Sequence, residues 1–356
     1  MLFDAQRLIE FAVAILAEAG LDEEMSRSVA KVLVEGDLLG HTTHGLALLP
    51  SYVAALRSDK MTKSGSWSVL SDSGAVAAWD GNRLPGPWLV EQAITEACKR
   101  VESFGIFSLA IRRSHHIACL AAYLKPVTDR GLVVLLASSD PAVASVAPFG
   151  STKRLYSPNP LAAGIPTDGE PLLIDISMSM STNGFVNRAH RRGEQLPHAY
   201  VLDASGKPTT DPSAYVDDPG GSLLPLGGLE TGYKGFALGL LIEALTSGLG
   251  GGGRSLNETG WGASVFLLVI DPNKFGGLDA FRKETGFLVH ATQEATPIEP
   301  NSPARLPGAR ALEKRKQQLA NGVVLDENLV AELEATAKAL GIPLPPALSD
   351  NRNSSL

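Results

Sequence analysis

Two adjacent histidines, His115 and His116, follow Ser114 in a polar segment between apolar stretches. An imidazole with an ordinary pKa of about 6.5 can give or take a proton near neutral pH, which is the task of a general acid or base. Loops that follow strands often carry such groups. The same residues also fit histidines that begin a helix and bond only to backbone groups. Spacing alone leaves both interpretations open.

His41 and His44 form a second pair, three residues apart around the expected start of a helix. In that position His44 can donate to a substrate oxygen, although a capping or packing role fits the pair as well. No metal site is predicted at His115 and His116. Neighbouring histidines do not easily chelate one ion, and no nearby carboxylate completes a zinc or iron ligand set.

Lys234 lies between two glycines, in the expected first turn of a helix over 233–247. A cation there is unfavourable by about 0.3–1 kcal/mol because the helix dipole is positive at that end. An anion bound at the helix start would explain the lysine. A solvated lysine beside a flexible glycine-rich turn is the alternative.

The glycine-rich run 248–253 matches the spacing of a dinucleotide-binding loop. Such a loop must follow a strand and open a helix. Here the run follows the helix expected over 233–247 and leads into a polar segment. It is therefore interpreted as a helix end and a loop, and a Rossmann motif is rejected.

Helical periodicity organises the first sixty residues, where apolar positions repeat at helical spacing in three segments. Asp22 is the expected N-cap of the second helix and Thr43 that of the third. Another helix is expected over 329–340, capped near Asp326.

The clearest architectural pattern lies between residues 90 and 137. A helix ends at Gly105, an apolar strand is expected over 106–111, a helix follows His116, and a second strand is expected over 132–137. This order predicts a parallel α/β unit with Ser114, His115 and His116 at the carboxyl end of its first strand, where open α/β sheets bind ligands. Further strands are expected over 172–175 and 265–271.

Composition narrows the class of protein. The 356 residues carry a net charge of −7, and no lysine- or arginine-rich stripe offsets it, so no nucleic-acid partner is expected. Arg188, Arg191 and Arg192 form a run sized for a single anion. Segment 1–20 is amphipathic, unlike a signal peptide or a membrane span, and the two cysteines give no disulfide framework. A cytoplasmic protein without a membrane partner is expected.

Seven short motifs occur in one order, at residues 41–52, 114–117, 147–150, 159–160, 175, 207–212 and 233–235. This order resembles that of the malate/L-lactate dehydrogenase family, which is distinct from the Rossmann lactate dehydrogenases and includes ureidoglycolate and sulfolactate dehydrogenases. The resemblance covers about residues 3–342. Segments 40–52 and 221–224 and the tail are most similar to the hydroxycarboxylate dehydrogenase B members.

The resemblance implies an α/β fold with a non-Rossmann, mixed-sheet NAD(P)-binding domain and a helical domain formed by both chain ends. The helical domain is expected over 1–72 plus 290–356, and the α/β region, with the NAD(P)-binding domain and active-site loops, over 73–289. A homodimer with the site near its interface, and NAD or NADP as cofactor, are implied as well.

The same resemblance assigns the site residues. His116 is the acid/base, His44 lines the substrate site, and Ser114, grouped with these catalytic residues, shapes the pocket together with His115. Leu48 and Pro158 also belong to the substrate pocket. Cofactor contacts are expected at Ser139, Asn159, Asp175, Ile176, Ser177 and Lys234.

Four positions depart from the family pattern. Leu48 stands where many relatives have an arginine that grips the substrate carboxylate. Pro158 and Met178 replace threonines, and Ala118 replaces a glycine. An apolar Leu48 favours bulkier or less acidic substrates than malate.

The sequence therefore predicts an NAD(P)-dependent oxidoreductase that interconverts a small 2-oxo acid and 2-hydroxy acid by hydride transfer. A second hypothesis is reduction of the C=N bond of a cyclic or N-substituted imino acid. A third is a family member that has lost catalysis and binds a dinucleotide. The arginines at 188, 191 and 192 would favour NADP only if they face its 2′-phosphate.

Overall fold

The computed structural model describes residues 1–217, 220–257, 259–299 and 302–348. The chain forms helices that pack around one large sheet. The helices are α1 Ala5–Glu18, α2 Glu23–Leu39, α3 Leu49–Arg57, α4 Gly86–Phe104, α5 Lys125–Thr128, α6 Asn183–Arg191, α7 Ser213–Val216, α8 Gly228–Glu243, α9 Leu278–Glu294, α10 Ala309–Asn321 and α11 Glu327–Lys338.

The strands are β1 Leu2–Phe3, β2 Ser68–Asp72, β3 Val76–Asp80, β4 Ile106–Ser114, β5 Val133–Ser139, β6 Leu161–Ile165, β7 Leu172–Ile176, β8 Val201–Leu202, β9 Pro208–Thr209, β10 Ser222–Leu223, β11 Ala263–Ile270 and β12 Val323–Val324. Seven of them form the main sheet, in the order β2-β3-β4-β11-β5-β6-β7. β3 and β4 pair in parallel and the other neighbours in this sheet pair antiparallel. The predicted α/β class with a mixed sheet is confirmed.

The predicted parallel unit around the histidines is wrong in its pairing. β4 and β5 run in the same direction, but β11 lies between them and pairs antiparallel with both. The parallel partner of β4 is β3, and the crossover helix is α4. After His116 the chain forms only a 3₁₀ turn over Leu120–Tyr123 and the single turn α5, because Pro126 stands early in that segment.

A β-bulge ends β4 just before the histidines. Arg112 and Arg113 together lie opposite Ser264 of β11, and Arg113 adopts a left-handed backbone with φ 52°. The carboxylate of Asp80, which is 5% exposed, binds Nε of Arg112 at 2.9 Å and Nε of Arg113 at 3.1 Å. A bulge bends a strand and re-aims the side chains that follow it. Here it directs the chain into the Ser114–His116 loop.

The helices begin and end mostly where the sequence predicts. Asp22 caps α2 by accepting the N–H groups of Glu24 and Met25, and Asp326 caps α11 by accepting that of Leu329. The predicted cap at Thr43 is wrong. α3 begins at Leu49, after a 3₁₀ turn over Leu46–Leu48, and the hydroxyl of Thr43 lies 2.9 Å from Nδ1 of His44.

α8 begins at Gly228, five residues earlier than predicted, and continues as a π-helix over Ala244–Gly248. Lys234 therefore lies in the second turn, not the first, where the dipole argument for a bound anion is weaker. The glycine-rich run 248–253 lies at the end of this helix, as predicted, and leads into a 3₁₀ turn over Arg254–Leu256.

Both chain ends meet on one side of the molecule. β1 pairs antiparallel with β12, and Gln318 of α10 donates to the carbonyl oxygens of Asp37 and Leu38 at the end of α2. The division into 1–72 plus 290–356 and 73–289 stays a prediction, although it separates β2 from its partner β3. Its residues 300–301 and 349–356 lie outside the described residues. None of the helices in the described ranges is both long and apolar enough to cross a membrane.

Candidate active site

A cavity of about 440 Å³ opens beside His44 and His116. Its walls come from the α2–α3 connection, the loop after β4, the ends of β5 and β7, and the start of α6. The volume falls within the roughly 300–1,000 Å³ of small-molecule sites. Seven of the predicted site residues line it, namely His44, Leu48, His116, Ser139, Pro158, Asp175 and Ser177.

Backbone contacts fix the ring of His116. The N–H of Ala118 donates to Nδ1 of His116 at 3.2 Å, and the hydroxyl of Tyr52 donates to the His116 carbonyl oxygen at 2.8 Å. A nitrogen that accepts a hydrogen bond carries no proton in the neutral ring, so the proton of His116 resides on Nε2. Nε2 is then the atom that can donate to a bound molecule.

His116 is also held between two aromatic rings. Trp261 stacks on it with the ring centroids 4.5 Å apart, and His44 stacks with the centroids 6.0 Å apart. Burial, followed by the neighbouring His44 and His115, lowers the pKa of His116 well below its ordinary value. Burial, followed by His41, lowers the pKa of His44 to about 4. Both rings are therefore neutral at pH 7.

Gly86, the first residue of α4, explains how closely the helix approaches the histidine loop. A Cβ at this position would lie 2.4 Å from the carbonyl oxygens of both His115 and His116. Only a glycine permits this contact, because no side-chain carbon fits at that distance.

Ser114 and His115 support the loop without lining the cavity. The Ser114 hydroxyl donates to the His115 carbonyl oxygen at 2.7 Å. His115 is 2% exposed, packs edge-on against Tyr52 and Trp261, and has no hydrogen-bond partner among the described residues for either ring nitrogen. Burial, with a smaller contribution from Arg83, lowers its pKa to about 4. These two residues position His116.

Three predicted cofactor residues lie at the cavity, and each makes hydrogen bonds within the protein. Ser139 bonds to the hydroxyls of Thr246 at 2.8 Å and Ser247 at 3.2 Å. Asp175 accepts the N–H of Ala121 at 2.9 Å, and burial raises its pKa above the ordinary value. The Ser177 hydroxyl donates to the Ser179 carbonyl oxygen at 3.1 Å.

Three other predicted cofactor residues do not line this cavity in the described structure. Asn159 is fully buried and satisfies its amide within the protein, because it donates to Gly239 and Glu243 and accepts from Ser157. Asp175 and Ser177 line the cavity, whereas Ile176 between them points away from it and is 45% exposed. Lys234 is exposed on α8, with Nζ 5.8 Å from the ring centre of Tyr233.

His41, Cys119 and Asp175 form a cluster at one wall of the cavity, with ligand atoms within 4.8 Å of one another. Cys119 is 2% exposed, and burial, followed by Asp175, raises the pKa of its thiol well above the ordinary value. A thiol binds a metal ion only after it loses its proton. At neutral pH the cluster is therefore poorly prepared for a cation.

Three of the four departures from the family pattern lie at the cavity, and the fourth, Met178, is buried in a separate apolar cluster. Leu48 and Pro158 both line the cavity. Ala118, which replaces a glycine, has φ 57°, in the left-handed region that favours glycine. Its N–H nevertheless makes the hydrogen bond to His116. The substitution thus keeps the geometry of the histidine at the cost of some backbone strain.

Tyr52 and Trp261 contact His116, and the sequence analysis assigned neither of them to the site. Tyr52 is fully buried in the core and touches both His115 and His116. Its position within the motif at 41–52 could have indicated a site residue, but an aromatic residue at helical spacing fits a core position equally well. Trp261 follows a glycine-rich loop and carries no pattern that could have indicated its stacking on His116.

Comparison with known proteins agrees with this architecture. The family model for malate/L-lactate dehydrogenase matches residues 3–334. Hydroxycarboxylate dehydrogenase B of Escherichia coli K12 is 28% identical over 348 residues, covering 96% of this chain and 95% of the relative.

Solved structures give the same result. The Δ1-piperideine-2-carboxylate reductase of Pseudomonas syringae superposes with a TM-score of 0.83 at 29% identity, over 95% of this chain and 100% of that chain. The malate dehydrogenase of Entamoeba histolytica shares the fold, with a TM-score of 0.91 at 22% identity over 97% and 99% of the two chains. The chain belongs to the malate/L-lactate dehydrogenase family and is an oxidoreductase.

Proposed function

We propose that the protein interconverts a small 2-oxo acid and the corresponding 2-hydroxy acid, with NAD or NADP as cofactor and His116 as the proton-transferring residue. The observation that carries the proposal is the neutral His116 ring at the cavity, with Nδ1 accepting the Ala118 N–H and Nε2 free to donate. The family membership supports the reaction type.

The residues at the cavity are suited to a nicotinamide nucleotide. The carboxyl groups of Asp140 and Asp175 and the hydroxyl of Ser177 offer acceptors for ribose hydroxyls and for a carboxamide N–H. His44 and Ser139 complete the same wall. When bound, the nicotinamide supplies the hydride to the carbonyl carbon or takes it from the alcohol carbon.

His116 acts on the oxygen of the reacting group. In reduction, Nε2–H of His116 donates a hydrogen bond to the carbonyl oxygen and stabilises the negative charge that develops there. The neutral ring gives its Nε2 proton to this oxygen, and the imidazolate that remains regains a proton from water; in triosephosphate isomerase, too, a neutral histidine polarises the substrate carbonyl. Trp261 and Tyr52 hold the ring in place during this step.

The test is reduction of 2-oxo acids by the purified protein. Wild type should oxidise NADH or NADPH with at least one of pyruvate, phenylpyruvate and oxaloacetate. His116→Ala should lower kcat/KM by about 10²-fold or more, since the donor to the oxygen is lost. His290, an exposed histidine on α9, provides the control, and His290→Ala should keep full activity. Equal turnover by wild type and His116→Ala would show that another group transfers the proton.

A second reaction is reduction of a cyclic imino acid, favoured by the similarity to the Pseudomonas syringae reductase. An imine is protonated more easily than a ketone, so His116→Ala would then lose less activity at low pH. Turnover of a cyclic imino acid compared with its 2-oxo analogue separates the two reactions. Tight binding of NAD(P)H with no turnover of either substrate would favour the third hypothesis, a dinucleotide-binding protein without catalysis.

We also propose that the protein is a cytoplasmic homodimer. Both cysteines, Cys98 and Cys119, are free thiols, which suits a reducing compartment. The outer face of α8 supports a second copy as partner because it exposes a group of large apolar side chains, namely Leu229, Tyr233, Leu238, Leu240 and Leu241. These large apolar side chains share the outer face with the exposed Glu230 and Lys234, and a partner on that face would remove the apolar side chains from water.

A further inference from the structure

The cavity beside His116 contains no lysine or arginine among the described residues that line it. Two of the histidines there, His44 and His116, are neutral at pH 7, since burial lowers the pKa of each. The cavity therefore offers hydrogen-bond donors but no fixed positive charge. A substrate that carries more than one carboxylate needs a cation elsewhere.

A second cavity, of about 730 Å³, adjoins the first. Thr43, Leu48 and Gly184 line both cavities and so form a wall that the two spaces share. The second cavity is bounded by α3, α6 and the start of α11, and it contains the arginines at 188, 191 and 192.

Two of these arginines are paired. Arg191 lies 3.5 Å from a carboxylate oxygen of Glu332, and Arg192 lies 3.3 Å from one of Asp326. Asp37, the remaining acidic residue of this cavity, is 1% exposed, and burial raises its pKa to about 7, so its negative charge is only partial at neutral pH.

Arg188 differs from its two neighbours. Within the described ranges it has no carboxylate at ion-pair distance. Its Nη1 donates to the hydroxyl of Thr42 at 3.1 Å, and its guanidinium lies 5.6 Å from the ring centre of Phe185. These contacts hold the half-buried guanidinium in place beside Thr42. Thr42 lies two residues before His44 in the chain. An oriented guanidinium without a carboxylate partner is a ready anion site.

We propose that Arg188 binds a second, remote carboxylate of the substrate, so that the preferred substrates are 2-oxo acids with a chain longer than that of malate and an anionic end. A carboxylate bonded directly to the reacting carbon stays beside His116. The anion at Arg188 must therefore lie at the far end of the molecule, past Leu48. The proposal rests on the proposed 2-oxo acid reductase activity and names the substrate class of that site.

The test compares two acids of equal chain length, 2-oxohexanoate with one carboxylate and 2-oxoadipate with two. Wild type should reduce 2-oxoadipate with the higher kcat/KM. Arg188→Ala should lower kcat/KM for 2-oxoadipate by about 10- to 100-fold, the range of one charge-assisted hydrogen bond, and leave 2-oxohexanoate within about twofold. Arg188→Lys should recover part of the loss. Arg192→Ala, which removes a paired arginine of the same cavity, is the matched control and should change both acids little.

Three results would overturn the proposal. An equal loss on both acids would mean that Arg188 acts on a group common to them. A loss with NADPH but not with NADH, the same for both acids, would assign Arg188 to the 2′-phosphate of the cofactor. No change on either acid would show that Arg188 binds no substrate group.

Calorimetric titration with adipate separates this proposal from the proposed reaction. Wild type should bind the dianion about 10-fold or more tightly than Arg188→Ala, whether or not turnover occurs. If wild type reduces neither these two acids nor pyruvate, phenylpyruvate or oxaloacetate but binds adipate through Arg188, the proposed reaction is wrong and the anion site remains. If the reaction proceeds and adipate binds both proteins equally, the anion site is wrong.

Discussion

The surroundings of the His116 ring define its protonation state. They consist of a backbone N–H, a tyrosine hydroxyl and two stacked rings. Nδ1 accepts from Ala118, and burial disfavours the charged ring, so the group at the cavity is a neutral imidazole with its proton on Nε2. A neutral donor has a different pH dependence from an imidazolium acid. The distinction is visible in kinetics.

The first prediction concerns that pH dependence. Because the lowered pKa leaves His116 neutral throughout, kcat/KM for reduction should stay within about twofold from roughly pH 6 to pH 8. An imidazolium donor would instead lose about tenfold in kcat/KM for each pH unit above its pKa. Steady-state kinetics at saturating cofactor measure this profile. A continuous tenfold decline per unit over that range would rule out the neutral donor.

At the scale of elements, the bulge at the end of β4 and the start of α4 together position the histidine loop. Asp80 at the end of β3 binds the two consecutive arginines of the bulge, and Gly86 lets α4 approach the carbonyl oxygens of His115 and His116. The loop is thus fixed from both sides by parts of one parallel unit. Neither contact touches the cavity directly.

The second prediction tests this support. Asp80→Asn removes a nearly buried negative charge that binds Arg112 and Arg113, so the free energy of unfolding should fall by about 1–3 kcal/mol. The bulge should loosen and kcat should decrease, while the Michaelis constant for cofactor changes less. Denaturant unfolding and steady-state kinetics measure the two effects.

Asp59→Asn is the control for Asp80. Asp59 also makes an ion pair, with Lys63 at 2.7 Å, but its side chain is 82% exposed. Its loss should cost less than about 1 kcal/mol and leave kcat unchanged. Equal destabilisation by both variants would show that the bulge does not depend on Asp80.

At the scale of the whole molecule, α8 is a helix whose outer face the described part of the chain leaves exposed. α8 carries buried glycines on its inner side and large apolar residues on its outer side. A second copy of the chain on this face would cover the apolar side chains. In the proposed homodimer the outer face of α8 is therefore part of the subunit interface.

The third prediction follows from that face. Wild type should sediment as a dimer at micromolar concentration, and Leu241→Glu, which places a charge among apolar side chains, should shift it to monomer. Val69→Glu on the exposed strand β2 changes a comparable side chain away from α8 and should leave the dimer intact. A monomeric wild type, or a dimeric Leu241→Glu, would contradict the assignment of this face.

The sequence predicted those parts of the fold that local patterns encode. Apolar periodicity located α1, α2 and α11, and short apolar runs located β4, β5, β7 and β11. The order of the sheet was not accessible, because the insertion of β11 between β4 and β5 joins segments more than a hundred residues apart. Long-range pairing leaves no local pattern.

Sequence motifs predicted only part of the site. His44, His116 and Asp175 meet at one cavity, whereas Asn159 forms interior hydrogen bonds that a motif cannot distinguish from ligand contacts. The position of Arg188 beside a second cavity depends on the orientation of α6 against α3 and α11. Sequence spacing indicated a basic run there but not which arginine lacks a partner.

The pairing of β1 with β12 has a consequence for the synthesis of the chain. β1 leaves the ribosome before the strands of the main sheet, and its partner at 323–324 emerges only after all of those strands have been translated. Until then the end of α2 lacks the Gln318 side chain that binds its last carbonyl groups. A chain cut short before β12 would keep an unpaired strand and exposed apolar surface, both of which favour aggregation.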